Sequence, residues 1–426
     1  MTAAVVAPVL LCALALPPLV LGATLLLGRP LGGKALSAWG VLQSFALLLG
    51  APALAAVAWG TPGDVVLPEV LRVGEWAWQP VLLVDRLSLA WLGLVAVVHP
   101  VIVRFSIAAM VREAGAPRYW FLVTLFALAL AVIALAGNVD VLYLGWEVVG
   151  VCSVMLIAFF RSAVRSNWNS LRALVYYRVG DFLLMGAAIS IHHAFPTARL
   201  SALSTEAVLP GAVAVALALV GAASVKSAQL PFSPWLHRAM EGPAASSGIF
   251  YGALSVHLGP WLLLRTAPLW MPHGSVRVAV AAMGLTTTVY AALVGRTRPD
   301  AKTALAYATM AQIGVMYLEV AAGLHVLAVV HLWAHAGLRT WQFLRSSSLL
   351  QDFQDNPLFR EGVQRRRDGL SAQWGWVPSA WTDWLYLAAS RQFWLDGLQW
   401  EWVGRPVTWF FGVLARVEDV LAGRRA

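Results

Sequence analysis

Apolar runs about as long as a bilayer is thick recur along most of this chain, and nothing else limits its fold so strongly. Residues 7–28, 36–60, 80–103, 119–137, 139–160, 170–194, 207–227, 244–267, 275–295, 302–322 and 324–345 each read as such a run. About 20 mainly apolar residues in helical form cross a hydrocarbon core. Inside lipid, backbone N–H and C=O groups must be satisfied within the segment, which for single runs means helix. The expectation is an all-α polytopic bundle of about eleven transmembrane helices. Composition agrees: 60% of the 426 residues are hydrophobic and 12% charged, against about 25% charged in a soluble domain. The mean hydropathy is +0.72. Basic loops and anionic headgroups account for the net charge of +9, so no nucleic-acid partner is implied.

The basic residues also predict an orientation. Counting from an N-terminus outside, the inner loops hold Arg29 and Lys34; Arg104, Arg112 and Arg118; Arg161 and Arg165; Arg238; Arg296 and Arg298. The outer loops hold Arg72 and Arg199 beside Asp64, Glu69, Glu75 and Glu206. This places the C-terminus in the cytoplasm. The first run lacks a basic leader and reads as a retained helix. Cys12 and Cys152 both fall within predicted helices and give neither a disulfide framework nor a metal pattern.

Four regions follow. Residues 1–118 hold the N-terminal transmembrane helices, and 119–345 the helices with buried ionisable groups. A polar connector, 346–373, ends its charged part in Arg365-Arg366-Arg367. In the Trp-rich tail, 374–426, Trp374, Trp384, Trp394 and Trp402 alternate with Asp383, Arg391, Asp396, Glu401 and Arg405. No part of the tail is a clean span. Amphipathic interfacial helices fit it, serving either as a partner-docking surface or as a plain membrane anchor.

Ionisable residues inside spans are costly and mark ion paths by default. Lys226 stands out because the chain has only three lysines, the others being Lys34 and Lys302. Unlike arginine, a desolvated lysine can release its proton. Glu147 sits in Gly145-Trp146-Glu147-Val148-Val149-Gly150, and Arg178 and Asp181 lie three residues apart on one helical face. His331, His335 and Arg339 recur every four residues, so one face of one helix carries all three. His257 precedes an expected helix break at Leu258-Gly259-Pro260.

Such a set suits proton relay, because histidine titrates near neutrality and a carboxylate holds a nearby lysine charged. Other readings stand beside it. Arg178 with Asp181 makes a structural ion pair, since arginine does not cycle its proton. Glu147 and Lys226 form a static buried pair, His331 and His335 a metal site, and His257 a packing residue. Glu319 lies near the end of its span and touches only water.

Several runs resemble the antiporter-like subunits shared by respiratory complex I and Mrp-type sodium/proton antiporters. Trp146-Glu147-Val148-Val149-Gly150-Val151-Cys152-Ser153 resembles their fifth-helix motif. Lys226-Ser227-Ala228-Gln229-Leu230-Pro231-Phe232, Trp235-Leu236 and Ala239-Met240-Glu241-Gly242-Pro243 resemble the seventh-to-eighth helix region. Lys302 with Leu305-Ala306-Tyr307-Ala308-Thr309-Met310-Ala311-Gln312-Ile313-Gly314 resembles the tenth-helix motif, and His331, His335 and Arg339 the eleventh. The resemblance covers about residues 80–345 and is nearest to the L-type subunit of complex I.

It implies a complete first five-helix repeat and a shortened second one. It also implies that Glu147 and Lys226 are the coupled pair of a proton half-channel, with His331, His335 and Arg339 on the central polar axis. Arg178, Asp181, His257, Tyr251 and Lys302 would support them. The chain departs from the pattern in three places. Tyr251 stands where the family has histidine, Arg339 stands where it commonly has lysine, and the twelfth-helix relay residue is absent.

A shortened relative of this kind fits an inorganic-carbon uptake system of the Dab type. There the membrane subunit conducts protons or sodium ions and couples that flow to a large soluble zinc protein in the cytoplasm. The alternatives are a proton-pumping subunit among complex I-like or hydrogenase-linked membrane partners, and a non-conducting assembly subunit. The expected site is a bacterial inner membrane. No redox centre or other cofactor is expected in this chain, which shows no CxxC pattern, Rossmann glycine fingerprint or P-loop; any zinc would sit on the partner.

Overall fold

In a computed structural model of the chain, the described residues are 2–28, 31–59, 63–73, 76–195, 198–203, 211–248, 254–298, 300–355 and 379–399, with 401, 405, 409 and 413. Tyr251 and the expected connector from 356 onward lie outside them, as do Glu75, Glu206, Trp374 and Trp402.

Among the described residues, eight helices are long and apolar enough to cross a membrane. They are α1 (Ala3–Leu26), α2 (Gly33–Ala58), α3 (Arg86–Ala109), α4 (Ala116–Ala134), α5 (Val139–Ile157), α6 (Val164–Ala194), α11 (Gly274–Arg296) and α12 (Ala301–Ala321). The other three expected spans differ in form. Helix α7 (Ala212–Lys226) has 15 residues and so rises about 22 Å. The run 244–267 is broken into α8 (Ala244–Ser247), a 3-10 turn at Ser255–His257, and α9 (Leu258–Arg265), with α10 (Ala267–Trp270) following. The break therefore lies before Leu258 and not at Leu258-Gly259-Pro260, because proline is tolerated in the first turn of the resumed helix. Helix α13 (His325–Asp355) is 31 residues long, but His331, His335, Arg339 and Arg345 make it more polar than the eight.

The all-α expectation needs one addition. Between Gly63 and Val84 lie two antiparallel strand pairs, the hairpins: β1 (Gly63–Val66) with β4 (Val81–Val84) and β2 (Leu71–Val73) with β3 (Trp76–Trp78). In register, Gly63 faces Val84 and Val66 faces Val81. Residues 81–84, read above as part of a span, are thus strand. Asp85 then begins α3 as its N-cap, accepting 2.8 Å from the Ser88 N–H.

The hairpins mark one end of the bundle, the hairpin end. Leu82 bridges Ala136, and Asn138 bridges Arg199, so the 135–138 and 198–203 connectors share that end. Trp333 Nε1 donates to the Ala90 carbonyl at 3.1 Å, which puts the start of α13 there too. At the opposite, tail end lie the connectors 158–163 and 227–243 and residues 297, 298 and 300, with α14 (Ser379–Ser390) and α15 (Leu395–Gln399).

Large side chains fill the interior: Trp91, Trp120, Trp146, Trp235, Trp261 and Trp270 are fully buried. Helices α11 and α12 meet through small residues. A Cβ on Gly284 would lie 2.5 Å from the Gly314 carbonyl, and the reverse distance is the same. Only glycine permits that approach, a common device where lipid offers no hydrophobic drive between helices.

Candidate functional site

Two polar clusters lie within the bundle. The first is built on α5, α6 and α7. Glu147 on α5 accepts 2.6 Å from Arg178 Nη2 on α6, and the same Nη2 reaches Asp181 Oδ2 at 2.7 Å. Asp181 is 3% exposed, Glu147 20% and Arg178 41%. Arg178 therefore bridges both carboxylates. Lys226, the last residue of α7, is 1% exposed. Its Nζ lies 4.7 Å from the ring centroids of both Trp146 and Tyr177 and donates to the Trp146 carbonyl at 3.2 Å. Two aromatic faces and one carbonyl are the partners a desolvated ammonium accepts when no carboxylate is in contact.

The expected Glu147–Lys226 contact is thus absent among the described ion pairs. Arg178 takes Glu147 instead, because its Nη2, with two N–H groups, reaches both carboxylates while the lysine side chain ends among rings. This geometry extends the ion pair of Arg178 and Asp181 to a triad with Glu147, in place of the expected Glu147–Lys226 pair.

The second cluster joins the broken helix to α12 and α13. His257 Nε2 and His335 Nδ1 are 2.9 Å apart, and both residues are buried. Arg339 Nε donates to His335 Nε2 at 3.0 Å, and Arg339 Nη1 donates to Gln342 Oε1 at 2.7 Å. One helical turn earlier, His331 Nδ1 lies 2.9 Å from Glu319 Oε1 and Nε2 lies 3.1 Å from Gln312 Oε1. The His331 and His335 rings are 6.1 Å apart, edge to face. The one-face spacing read from the sequence thus brings His331, His335 and Arg339 together. Glu319 does not merely touch water: its side chain is 13% exposed and holds His331. Glu319 and Gln312 are partners the sequence reading missed. The Gln312 signal was present in the tenth-helix run, but nothing in its spacing tied it to another helix.

A short link connects the clusters. Ser227, next to Lys226, donates to the Val256 carbonyl at 2.6 Å, beside His257. Gly259 makes this crossing possible, since a Cβ there would stand 2.0 Å from Ser227 Oγ and 2.5 Å from the Ala223 carbonyl. Lys302 is not in this layer. It occupies the first turn of α12, about 15 Å of helix before Gln312.

Each end of the bundle is tied separately. At the hairpin end, Arg265 donates 2.6 Å to Asp85 Oδ2, 3.1 Å to Asp85 Oδ1 and 2.8 Å to Ser88 Oγ, with the arginine side chain 4% exposed. Burial pushes the Asp85 carboxyl up, and the Arg265 charge and hydrogen bonds with those of Ser88 more than offset it, leaving the pKa below its ordinary value. At the tail end, the tail turns its polar groups onto the bundle. Asp396 pairs with Arg238, and Arg298 Nη2 donates to the Ala389 and Ser390 carbonyls at 3.1 and 2.7 Å. Trp381, Trp384 and Trp394 face outward, more than 40% exposed. Beneath the tail, His237 stacks on Tyr307 with ring centroids 5.5 Å apart.

The family described as "NADH:quinone oxidoreductase/Mrp antiporter, TM" matches residues 136–361, just over half of the chain. NADH-quinone oxidoreductase subunit L of Mycobacterium tuberculosis is 31% identical over 370 residues, covering 82% of this chain and 56% of the relative. NADH-ubiquinone oxidoreductase chain 5 of Aspergillus niger is 30% identical over 317 residues, covering 72% and 48%. The chain thus spans about half the length of these relatives. A chain of the solved Mrp complex from Dietzia sp. DQ12-45-1b is similar with a TM-score of 0.66 and 26% identity, over 80% of this chain and 37% of that one. A chain of the archaeal membrane-bound sulfane sulfur reductase shares the fold, with a TM-score of 0.68, 19% identity, and coverage of 80% and 70%.

Proposed function

This chain belongs to the NADH:quinone oxidoreductase/Mrp antiporter transmembrane family, and on that premise we propose that it is an ion-translocating subunit whose buried groups relay protons within a larger membrane complex. The observation that carries the reading is the 2.9 Å contact between His257 and His335. It joins a helix break to the polar face of α13, inside the bundle, through two groups able to exchange protons.

In this reading Lys226 stores the proton. Its aromatic surroundings leave it no fixed counter-ion, so a small displacement of the Arg178 triad alters its charge balance. His257 and His335 pass the proton on, and His331 continues the line along α13. Arg339 stays protonated throughout and orients His335 from its far nitrogen. Arg178 and Asp181 position Glu147, and Lys302 lies toward the tail end of the same helix as Gln312.

The relatives favour a redox-linked or antiporter complex as the setting. The inorganic-carbon arrangement, with a soluble zinc partner, has no observation of its own in the fold or among those relatives. Purification of the tagged chain in mild detergent separates the two, through co-purifying quinone or iron–sulfur subunits on one side and a single zinc protein on the other. The relay itself is tested by proton uptake into vesicles containing the whole complex. Lys226→Ala or His335→Ala is expected to abolish uptake with the complex still assembled; uptake at the unmodified rate in both would end the reading.

A further inference from the structure

The proposed line reaches His331 and needs a group that hands the proton to one face of the membrane. Glu319 has the position and the contacts for this. It lies two residues before the end of α12, about 3 Å along the axis, at the end shared with the hairpins. That placement is fixed by its neighbours, since Arg277 donates to the Ala321 carbonyl and His325 Nε2 lies 3.2 Å from Met271 Sδ, both past Arg265 and its Asp85 lock. Oε1 meets His331 at 2.9 Å, while Oε2 is buried with no partner among the described residues. A carboxylate with one oxygen on an imidazole and the other uncommitted is a proton acceptor, not a closed structural pair.

The partners of His331 point the same way. Both nitrogens of His331 face oxygens, Glu319 Oε1 and Gln312 Oε1. A neutral imidazole has one N–H and serves both only by gaining a second proton, or with the Gln312 amide turned to donate. The site therefore accommodates His331 in two protonation states without moving its ring. On the other side of His331 the nearest titratable ring is His335, 6.1 Å between centroids.

Resting on the relay reading above, we propose that Glu319 is the terminal relay group of this chain, exchanging protons between His331 and water at the hairpin end. Protonated His331 gives its Nδ1 proton to the Glu319 carboxylate, leaving a neutral imidazole and a carboxylic acid. The acid then passes that proton to bulk water as hydronium, restoring the carboxylate. Run backward, the same two transfers load His331 from that face. This gives the chain an opening to the hairpin end that needs no residue beyond α13.

The test compares Glu319→Gln, Glu319→Asp and Lys226→Ala in the intact complex reconstituted in vesicles, with proton flux and assembled size measured together. Glutamine keeps the size and an acceptor oxygen but cannot take the proton, so flux is expected to fall by about 100-fold with assembly unchanged. Aspartate is expected to recover part of that flux. Infrared difference spectra of the complex should lose one protonated-carboxyl band in Glu319→Gln.

Flux at the unmodified rate in Glu319→Gln, with Lys226→Ala inactive, overturns the Glu319 assignment and leaves the relay reading intact. Unmodified flux in both overturns the relay reading itself. Loss of flux in Glu319→Gln with every carboxyl band retained also overturns the assignment, because Glu319 would then only position His331.

Discussion

The two buried clusters solve the same problem, polar groups in a low-dielectric interior, in opposite ways. Around Arg178, a group that does not release its proton clamps two carboxylates at 2.6 and 2.7 Å. Around His335, two imidazoles lie 2.9 Å apart, and Arg339 holds the far nitrogen of His335 at 3.0 Å. The first arrangement fixes charge, and the second permits it to move. Lys226 is held by rings and a carbonyl, and its neighbour Ser227 donates to the Val256 carbonyl beside His257. The difference teaches that burial alone does not identify a relay. What matters is whether the partners can change protonation without breaking the packing.

Substitutions sharpen that contrast. The largest effect is expected in the histidine cluster, where His335→Ala cuts proton flux by about 100-fold or more while the complex retains its assembled size on native gels. The clamp should fail differently. Arg178→Ala leaves Asp181 and Glu147 together without their cation, and removing one partner of a buried pair costs about 3–5 kcal/mol. Because Arg178 is 41% exposed, the loss is expected below that range, about 2–3 kcal/mol, read as a lower unfolding temperature of the purified protein. If Arg178→Ala removed flux with stability unchanged, the clamp would belong to the moving part, and the contrast would be wrong.

The crossing that joins the clusters comes next. Gly259→Ala forces a methyl against Ser227 Oγ and the Ala223 carbonyl, with an expected cost of about 1–3 kcal/mol in thermal unfolding and a partial loss of flux.

The hairpin-end lock gives a pH signature. Asp85 has its pKa lowered in the fold, so its stabilising contribution is complete above the unfolded carboxyl value and is lost as pH falls through the folded one. Asp85→Asn should therefore flatten the acid side of the stability profile without altering its neutral side's shape. The smallest effect belongs to the tail, where Asp396→Asn breaks a partly exposed pair with Arg238 and should cost no more than about 1 kcal/mol.

Much of the second cluster was legible beforehand, because a four-residue repeat on one helix needs no tertiary information to place His331, His335 and Arg339 together. The first cluster was legible only in membership. Glu147, Arg178, Asp181 and Lys226 all stand out as charges in apolar runs, but which carboxylate each cation takes depends on helix rotation. The lysine's aromatic cradle is made by Trp146 and Tyr177, residues common to buried helices of any kind. Glu319 was read as a span-end residue because its partner is on the next helix, across a turn. The helix break was displaced because proline signals a boundary without saying on which side the helix continues.

The sequence by itself determined that the chain spans a membrane repeatedly, since apolar length and intrahelical hydrogen bonding are local properties. It also singled out Asp181, Lys226, His257, His335 and Arg339, all of which are buried. Only the tertiary structure decided how those charges pair: that Arg178 and not Lys226 holds Glu147, that His257 meets His335, and that Glu319 holds His331. Pairing is a matter of contacts a few ångströms wide between helices distant in sequence, and helix rotation and crossing are set by packing that no single segment encodes.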